Sequence, residues 1–335
     1  ELAGVGFTRC AFDNTWFNEA NLADARFDAC QLFSVKFNQA DLSRARFTQC
    51  EWTGGFFKEA RLSGLNLAGL WIENADFTRA QLDGANLRGA YAGSCKFPGA
   101  SLKGADLSDA DLRHSDLTGA VLDDANLAGA VLREASLVDA SLTRCRFEPK
   151  DLVLCKLWRV ALPAGFDFRR RELYGVEFNG CDLARADFSE ASLTKASFLD
   201  ARLVGARLAG ARLTHVLADN ADLTDVDLAG ADLESASLVG ATLRGTNLAR
   251  ARLVGVKLAG QDLTRTPLDG ATLTRADLTG ANLAGRNLAG LDLVDACLAG
   301  ADLAGADLSG ARLLRTDLSG ATLKGTRMPK VMARF

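Results

Sequence analysis

Tyrosine and methionine are nearly absent, at two residues each in 335, and proline is held to five. Hydrophobic residues still make up 48% of the chain, so the apolar content is concentrated in Leu and Ala, as if one kind of core position were used many times. No apolar run approaches the ~20 residues that a membrane-spanning helix needs. The chain opens at Glu1 within a repeat and not on a charged-then-apolar leader, so no membrane association is expected. Charge of one sign is missing too: 39 Lys and Arg against 42 Asp and Glu leave a net charge of −3, with no global pull toward nucleic acid or anionic lipid. The two histidines, His114 and His215, lie far apart and in no local motif. Nothing resembles a nucleophile elbow, a phosphate loop or a metalloprotease helix. No catalytic residue, cofactor or metal is expected, and the chain reads as non-enzymatic.

What is present is a five-residue unit. A large apolar residue, the centre, recurs every fifth residue from Leu2 to Leu162 and again from Phe168 to Met328, and Leu or Phe fills 61 of these 66 centres. Two residues before the centre the chain prefers something small, with Ala at 36 positions. A period of five fits neither the 3.6 of an α-helix nor the 2 of a flat strand, so the chain must turn once per unit. With each unit a short extended side followed by a turn, the centre and the small residue point inward and the other three residues face water. Stacked turns then bond to the coils above and below at the ~4.8 Å strand spacing. Cys10, Cys30 and Cys50 share the small position at every fourth unit, which predicts four units per coil. Phe27, Phe37, Phe47 and Phe57 recur at every second unit, placing their rings on two opposite sides of a square.

Units such as Ala105-Asp106-Leu107, Ala125-Asn126-Leu127, Ala231-Asp232-Leu233 and Ala301-Asp302-Leu303 match the Ala-(Asp/Asn)-Leu-X-X motif of the pentapeptide repeat family. The resemblance covers essentially the whole chain and implies an all-β fold, a right-handed quadrilateral β-helix. At four units per coil that is about 16 coils and a rod on the order of 80 Å long. It also implies a bacterial protein, and it allows an accessory or adaptor role in secretion. One group within the family mimics duplex DNA with an acidic rod and protects DNA gyrase and topoisomerase IV from quinolones, which gives a rival expectation.

The departures from regularity divide the chain. Residues 1–162 form one repeat segment and 168–328 the other; 163–167 hold a one-residue phase break, expected as a bulge, bend or short loop, and 329–335 form a short tail. Lys150 and Arg171 fall at nominally inward small positions beside the break, where a buried unpaired charge is costly, so both side chains are expected to reach solvent. Arg286, Ala92 and Ala218 mark expected local distortions. Leu2 is already a centre, so the N-terminal end is expected to be an uncapped edge that meets a flanking domain or another rod end to end, as in a fragment of a larger protein. At the other end Val331, Met332 and Phe335 can cover part of the final coil.

Seven of the eight cysteines sit at the small inward position, where Cys acts as a compact apolar residue and parallel side chains do not converge on a metal. Free core thiols fit a reducing compartment, and a cytoplasmic location is expected. Mimicry of DNA requires continuous negative charge. Taking every twentieth residue gives instead the columns Asp182, Arg202, Asp222 and Arg212, Asp232, Arg252, in which opposite charges stack. The stretch 219–234, with six acids and no Lys or Arg, is the exception. Aromatic residues at outward positions are the better lead, because rows of large apolar groups on a solvated face mark contact surfaces and Trp and Tyr are favoured anchors. Trp16 and Phe56 fall on one column with Lys36 between them, Trp71 and Tyr91 on another, and Phe33 and Trp158 are also nominally outward. These six are the candidate contact residues for a protein partner.

Overall fold

The computed structural model describes residues 1–163 and 165–330. The expected cover of the last coil by Val331, Met332 and Phe335 lies outside the described residues, as does Ala164 of the phase break. Two compact units are formed, Glu1–Ala161 and Leu162–Phe335.

Within each of them the backbone pairs in parallel with the stretch four pentapeptides further on, so four pentapeptides make one coil. In the first unit, Ser101 pairs with Val121 and Asp106 with Asn126; in the second, Asp187 pairs with Arg207 and Asp232 with Arg252. Among the described residues, continuous strands occur only near the N-terminus: β1 (Gly6–Thr8), β2 (Ala11–Asp13), β3 (Arg26–Asp28), β4 (Gln31–Lys36), β5 (Arg46–Thr48) and β6 (Glu51–Phe56). They form two parallel sheets, β1-β3-β5 and β2-β4-β6, with Phe7 opposite Phe27 and Phe12 opposite Leu32.

The motif follows from where each N–H goes. The centre Leu102 donates to Val121 O (2.8 Å), the corner Gly104 to Asp123 O (2.8 Å) and Ser101, just before the centre, back to Ala80 O (2.9 Å). Ala105 N–H closes the turn on Leu102 O at 3.1 Å. The remaining donor, one residue after the centre, meets the Asp or Asn side chain just before it: Ser108 N to Asp106 Oδ1 at 3.0 Å, and Ala128 N to Asn126 Oδ1 at 3.1 Å. The Asp/Asn preference is therefore an Asx turn that satisfies the one N–H the ladder leaves over. The corner residue has a positive φ, as the third position of a type II turn requires, even where it is not glycine: His114 at 58°, Arg144 at 54°.

Centres and small residues make the core. Leu107, Leu112, Leu117 and Leu122 are fully buried beside Ala105, Ala110 and Ala120. The phenylalanine columns form as expected: Phe17, Phe37, Phe57, Phe77 and Phe97 stack with centroids 5.3, 5.2, 4.8 and 5.0 Å apart, and Phe27 stacks on Phe47 at 4.7 Å. Polar residues in the small slot donate to the carbonyl of a centre in the preceding coil, as Ser115 does to Ala92 O and Thr246 to Leu223 O, both at 2.8 Å.

The irregular positions divide into three outcomes. Ala92 and Ala218 distort nothing: both are buried, and their N–H groups keep the ladder to Asp111 O and Ser237 O at 2.8 Å. The ladder is made by backbone, so a short centre leaves it intact. Lys150 is exposed as expected, its N–H bonding Ala130 O at 2.7 Å in the place that Asp151 N–H would otherwise take, while Arg171 is only half-exposed. Corner positions advance from Leu154 and Arg159 to Gly165 and Arg170, a step of six where five is the rule.

Arg286 does mark a distortion, and its cause lies one coil away. Pro267 sits where the residue before the centre should donate to Thr246 O, and proline has no N–H. Around it, no backbone hydrogen bond joins residues 240–245 to 259–264, and Arg265 is the one corner between Arg170 and Gly325 without a positive φ. Arg286 enters the breach: its Nη1 donates to Thr264 O (3.2 Å) and its Nη2 to Thr266 O (2.8 Å). Those carbonyls would ordinarily accept from Gly245 and Asn287 N–H, so the guanidinium replaces two lost backbone donors. Pro267 and Arg286 are one feature.

Candidate protein contact faces

Column order puts Trp16, Lys36 and Phe56 on one face of the first unit, since Trp16 pairs with Lys36 and Lys36 with Phe56. Trp16 is 70% exposed, and Lys36 Nζ lies over its ring at 4.4 Å, a cation–π contact. Trp71 and Tyr91 pair on the preceding face, with rings stacked at 4.9 Å and 21° and exposures of 57% and 49%. Trp71 Nε1 donates to Glu73 Oε2 at 3.2 Å, which fixes the indole. Phe33 and Trp158 are half-buried, one residue past their centres, and lie apart from these two rows. Four of the six candidate residues thus form two rows on adjacent faces.

Elsewhere opposite charges pair along the columns. Across adjacent coils Arg202 meets Asp182 at 3.0 Å, Arg207 meets Asp187 at 3.9 Å, and Arg312 meets Asp292 at 2.7 Å. Corners carry the same device, Arg144 on Asp124 and Arg159 on Asp139, each at 2.6 Å. Along 219–234, Arg252 reaches back to both Asp232 and Glu234, and Asp219 accepts from Ser237 Oγ and Val239 N. Asp167 is held down to about 2 by the Arg169 guanidinium beside it. His114 is a corner residue with Nδ1 3.1 Å from Glu134, and His215 is another corner.

The cysteines are free thiols. Cys30 and Cys50 donate to Phe7 O and Phe27 O, so their sulfurs point at the neighbouring coil's backbone. Burial pushes the Cys95 thiol up to about 12. Among the described residues no group of three or more His, Cys, Asp or Glu side chains is placed to hold a metal ion, and no helix is long and apolar enough to cross a membrane.

One family model, "Pentapeptide repeat region", matches residues 1–87 and 171–248, and a second, "Pentapeptide repeats (8 copies)", matches 80–119, 110–148, 251–288 and 296–331. The chain belongs to the pentapeptide repeat family. No functionally curated protein matches it. Among solved structures, this pentapeptide repeat protein is similar to QnrB1, a plasmid-mediated fluoroquinolone resistance protein, at 15% identity over 79% of this chain and 92% of that one, with a TM-score of 0.28. HetL, involved in heterocyst differentiation regulation in the cyanobacterium Nostoc sp. strain PCC 7120, gives 22% identity over 99% and 92%, TM-score 0.16. Rfr23 from the cyanobacterium Cyanothece 51142 gives 25% over 37% and 88%, TM-score 0.14.

Sequence reading missed one feature of this surface. No backbone hydrogen bond joins residues 51–54 to 71–73, so the ladder is open beside Trp71. The opening extends to 46–49 against 66–68; Trp52 fills a centre there, and Leu65 and Leu70 occupy successive small slots that hold Ala45 and Cys50 in the coil before, a volume that the core must accommodate. Trp52 Nε1 is left buried without a partner. The legible signal was Leu70 two residues before Ile72, where the pattern calls for Ala or Cys.

Proposed function

We propose that the protein is a non-enzymatic scaffold that binds a protein partner through the two aromatic rows of its first unit. The observation that carries this is the exposure of Trp16, Phe56, Trp71 and Tyr91 in rows on adjacent faces, against a second unit that has no Trp, Phe or Tyr among the exposed large apolar residues of its described part. Large rings on solvated faces of this kind are interface anchors. A cytoplasmic partner, and an adaptor role beside a bacterial secretion apparatus within a larger protein, are the settings that the free thiols and the family suggest. The test replaces Trp16, Phe56, Trp71 and Tyr91 with Ser and compares crosslinked partners recovered from cells. Loss of a specific partner with an unchanged far-UV spectrum supports the reading; identical recovery refutes it.

The rival, a DNA mimic acting on gyrase or topoisomerase IV, needs rows of uncompensated acid. The Arg–Asp alternation down both units speaks against it. A gyrase supercoiling assay with and without quinolone separates the two: protection or inhibition at stoichiometric protein would replace the scaffold reading.

A further inference from the structure

The open ladder step beside Trp71 carries a binding proposal that rests on the scaffold reading. Down that column the order is Gln31, Glu51, Trp71, Tyr91. Tyr91 covers one face of the Trp71 indole, and the other face looks toward the Glu51 rung. A carboxylate beside the negative face of an aromatic ring is an unfavourable neighbour, and a cation between them turns both contacts favourable. Elsewhere the chain supplies that cation itself: Lys36 covers Trp16, and Lys195 Nζ lies 5.6 Å from the centre of the Tyr174 ring. On the rung before Trp71 the column carries Glu51 instead, whose carboxylate accepts from Gln31 Nε2 at 3.2 Å and has no ion pair among the described residues. Glu73, which holds the indole through Trp71 Nε1, leans toward the following coil, its Oε1 3.8 Å from the Cβ position of Gly93, and leaves the open face to Glu51.

Backbone groups point the same way. Because residues 51–54 and 71–73 are not bonded to each other, the carbonyls of Cys50 and Trp71, which normally accept across the ladder, have no donor among the described residues. The open step at Pro267 shows what fits such a breach, since there the Arg286 guanidinium donates to two carbonyls left free by the missing ladder bonds. At the Trp71 step no internal arginine does so.

We propose that the Glu51–Trp71 step is a recognition site for an arginine side chain of the partner protein. The planar guanidinium stacks on the open face of Trp71, pairs with Glu51, and donates to the free carbonyls of the separated coils, a combination that suits guanidinium better than ammonium.

The test uses the full chain and three blocked tripeptides, Gly-Arg-Gly, its lysine analogue and its citrulline analogue, the last keeping shape without charge. Binding is read by NMR. The arginine peptide is expected to bind weakly, with its δ-methylene protons moved upfield by the indole ring current, and the citrulline peptide to bind about tenfold more weakly. Glu51→Gln, an exposed and conservative change, is expected to weaken arginine binding about fivefold and Trp71→Leu to remove the ring-current shift. Equal binding of the citrulline or lysine peptide, or no effect of Glu51→Gln, overturns the proposal. Trp16→Ser/Phe56→Ser leaves arginine binding intact if the site is as described. Failure here with partner recovery still dependent on the aromatic rows sinks only this site, whereas arginine binding with undiminished recovery by the quadruple Ser variant sinks only the scaffold reading.

Discussion

Arg286→Ala tests whether a side chain can stand in for missing backbone donors. The guanidinium makes two hydrogen bonds to carbonyls, Thr264 O at 3.2 Å and Thr266 O at 2.8 Å, in a half-buried setting. Bonds from a charged donor are worth about 1.5–3 kcal/mol each. Two factors lower the sum: the longer bond is weak, and Arg286 Nε is buried without a partner, a desolvation loss the variant recovers. Arg286→Ala should therefore destabilise by about 2 kcal/mol. Pro267→Ala restores the N–H that the ladder lacks. If the open step closes in that background, Arg286 has no carbonyl left to serve and its removal should become nearly neutral, a coupling of about 1 kcal/mol or more. Urea denaturation of the four proteins of this cycle measures it, and hydrogen exchange at Leu243 and Gly245 reports whether the ladder has closed. Additive effects, or a loss below about 0.5 kcal/mol for Arg286→Ala, would refute the idea that the arginine repairs the proline's damage.

Three further outcomes follow from the same bonding rules. His215 holds a φ of 59° at an exposed corner, so His215→Gly should stabilise by about 0.5–1 kcal/mol and His215→Val should destabilise, both read from thermal melts. Thr246→Val keeps the shape but removes the donor to Leu223 O, which costs about 1 kcal/mol, and a variant as stable as the parent would contradict that bond. Asp167 is held near 2 by Arg169, below the ~3.9 of an unfolded chain, so its contribution is complete above about pH 4 and is lost as pH falls toward 2. The melting-temperature advantage of the parent over Asp167→Asn should accordingly shrink across that interval, and an advantage that persists at pH 2 would count against the ion pair.

Legibility in the sequence was uneven for physical reasons. Inward positions read well because their chemistry is exclusive: Leu and Phe every fifth residue leave no other period, and the spacing of Cys10, Cys30 and Cys50 is the coil length that the parallel bridges show. The outward rows of Trp16 with Phe56 and Trp71 with Tyr91 followed from the same arithmetic. Exposure was harder to read, since Phe33 and Trp158 are numbered as outward yet lie half-buried beside a corner. The expected distortions at Ala92 and Ala218 failed because a small centre removes side-chain volume and no hydrogen bond. The open steps beside Leu70 and Pro267 were missed for the converse reason. Leu70 adds volume and Pro267 removes a donor, and each acts on a neighbour in the adjacent coil that local reading does not consult.

The Asx turn within each pentapeptide lends the surface an unusual property. Because the side chain just before the centre bonds only its own turn, replacing it costs that one local hydrogen bond and leaves the core packing untouched. Each such residue has two close neighbours in its column, one coil up and one coil down. The exterior behaves as a grid with fixed coordinates, on which a ring or a charge can be exchanged, row by row, without rewriting the core beneath it. A contact face on such a grid can be moved by changing a few residues spaced one coil apart, so one backbone can carry many partners over time.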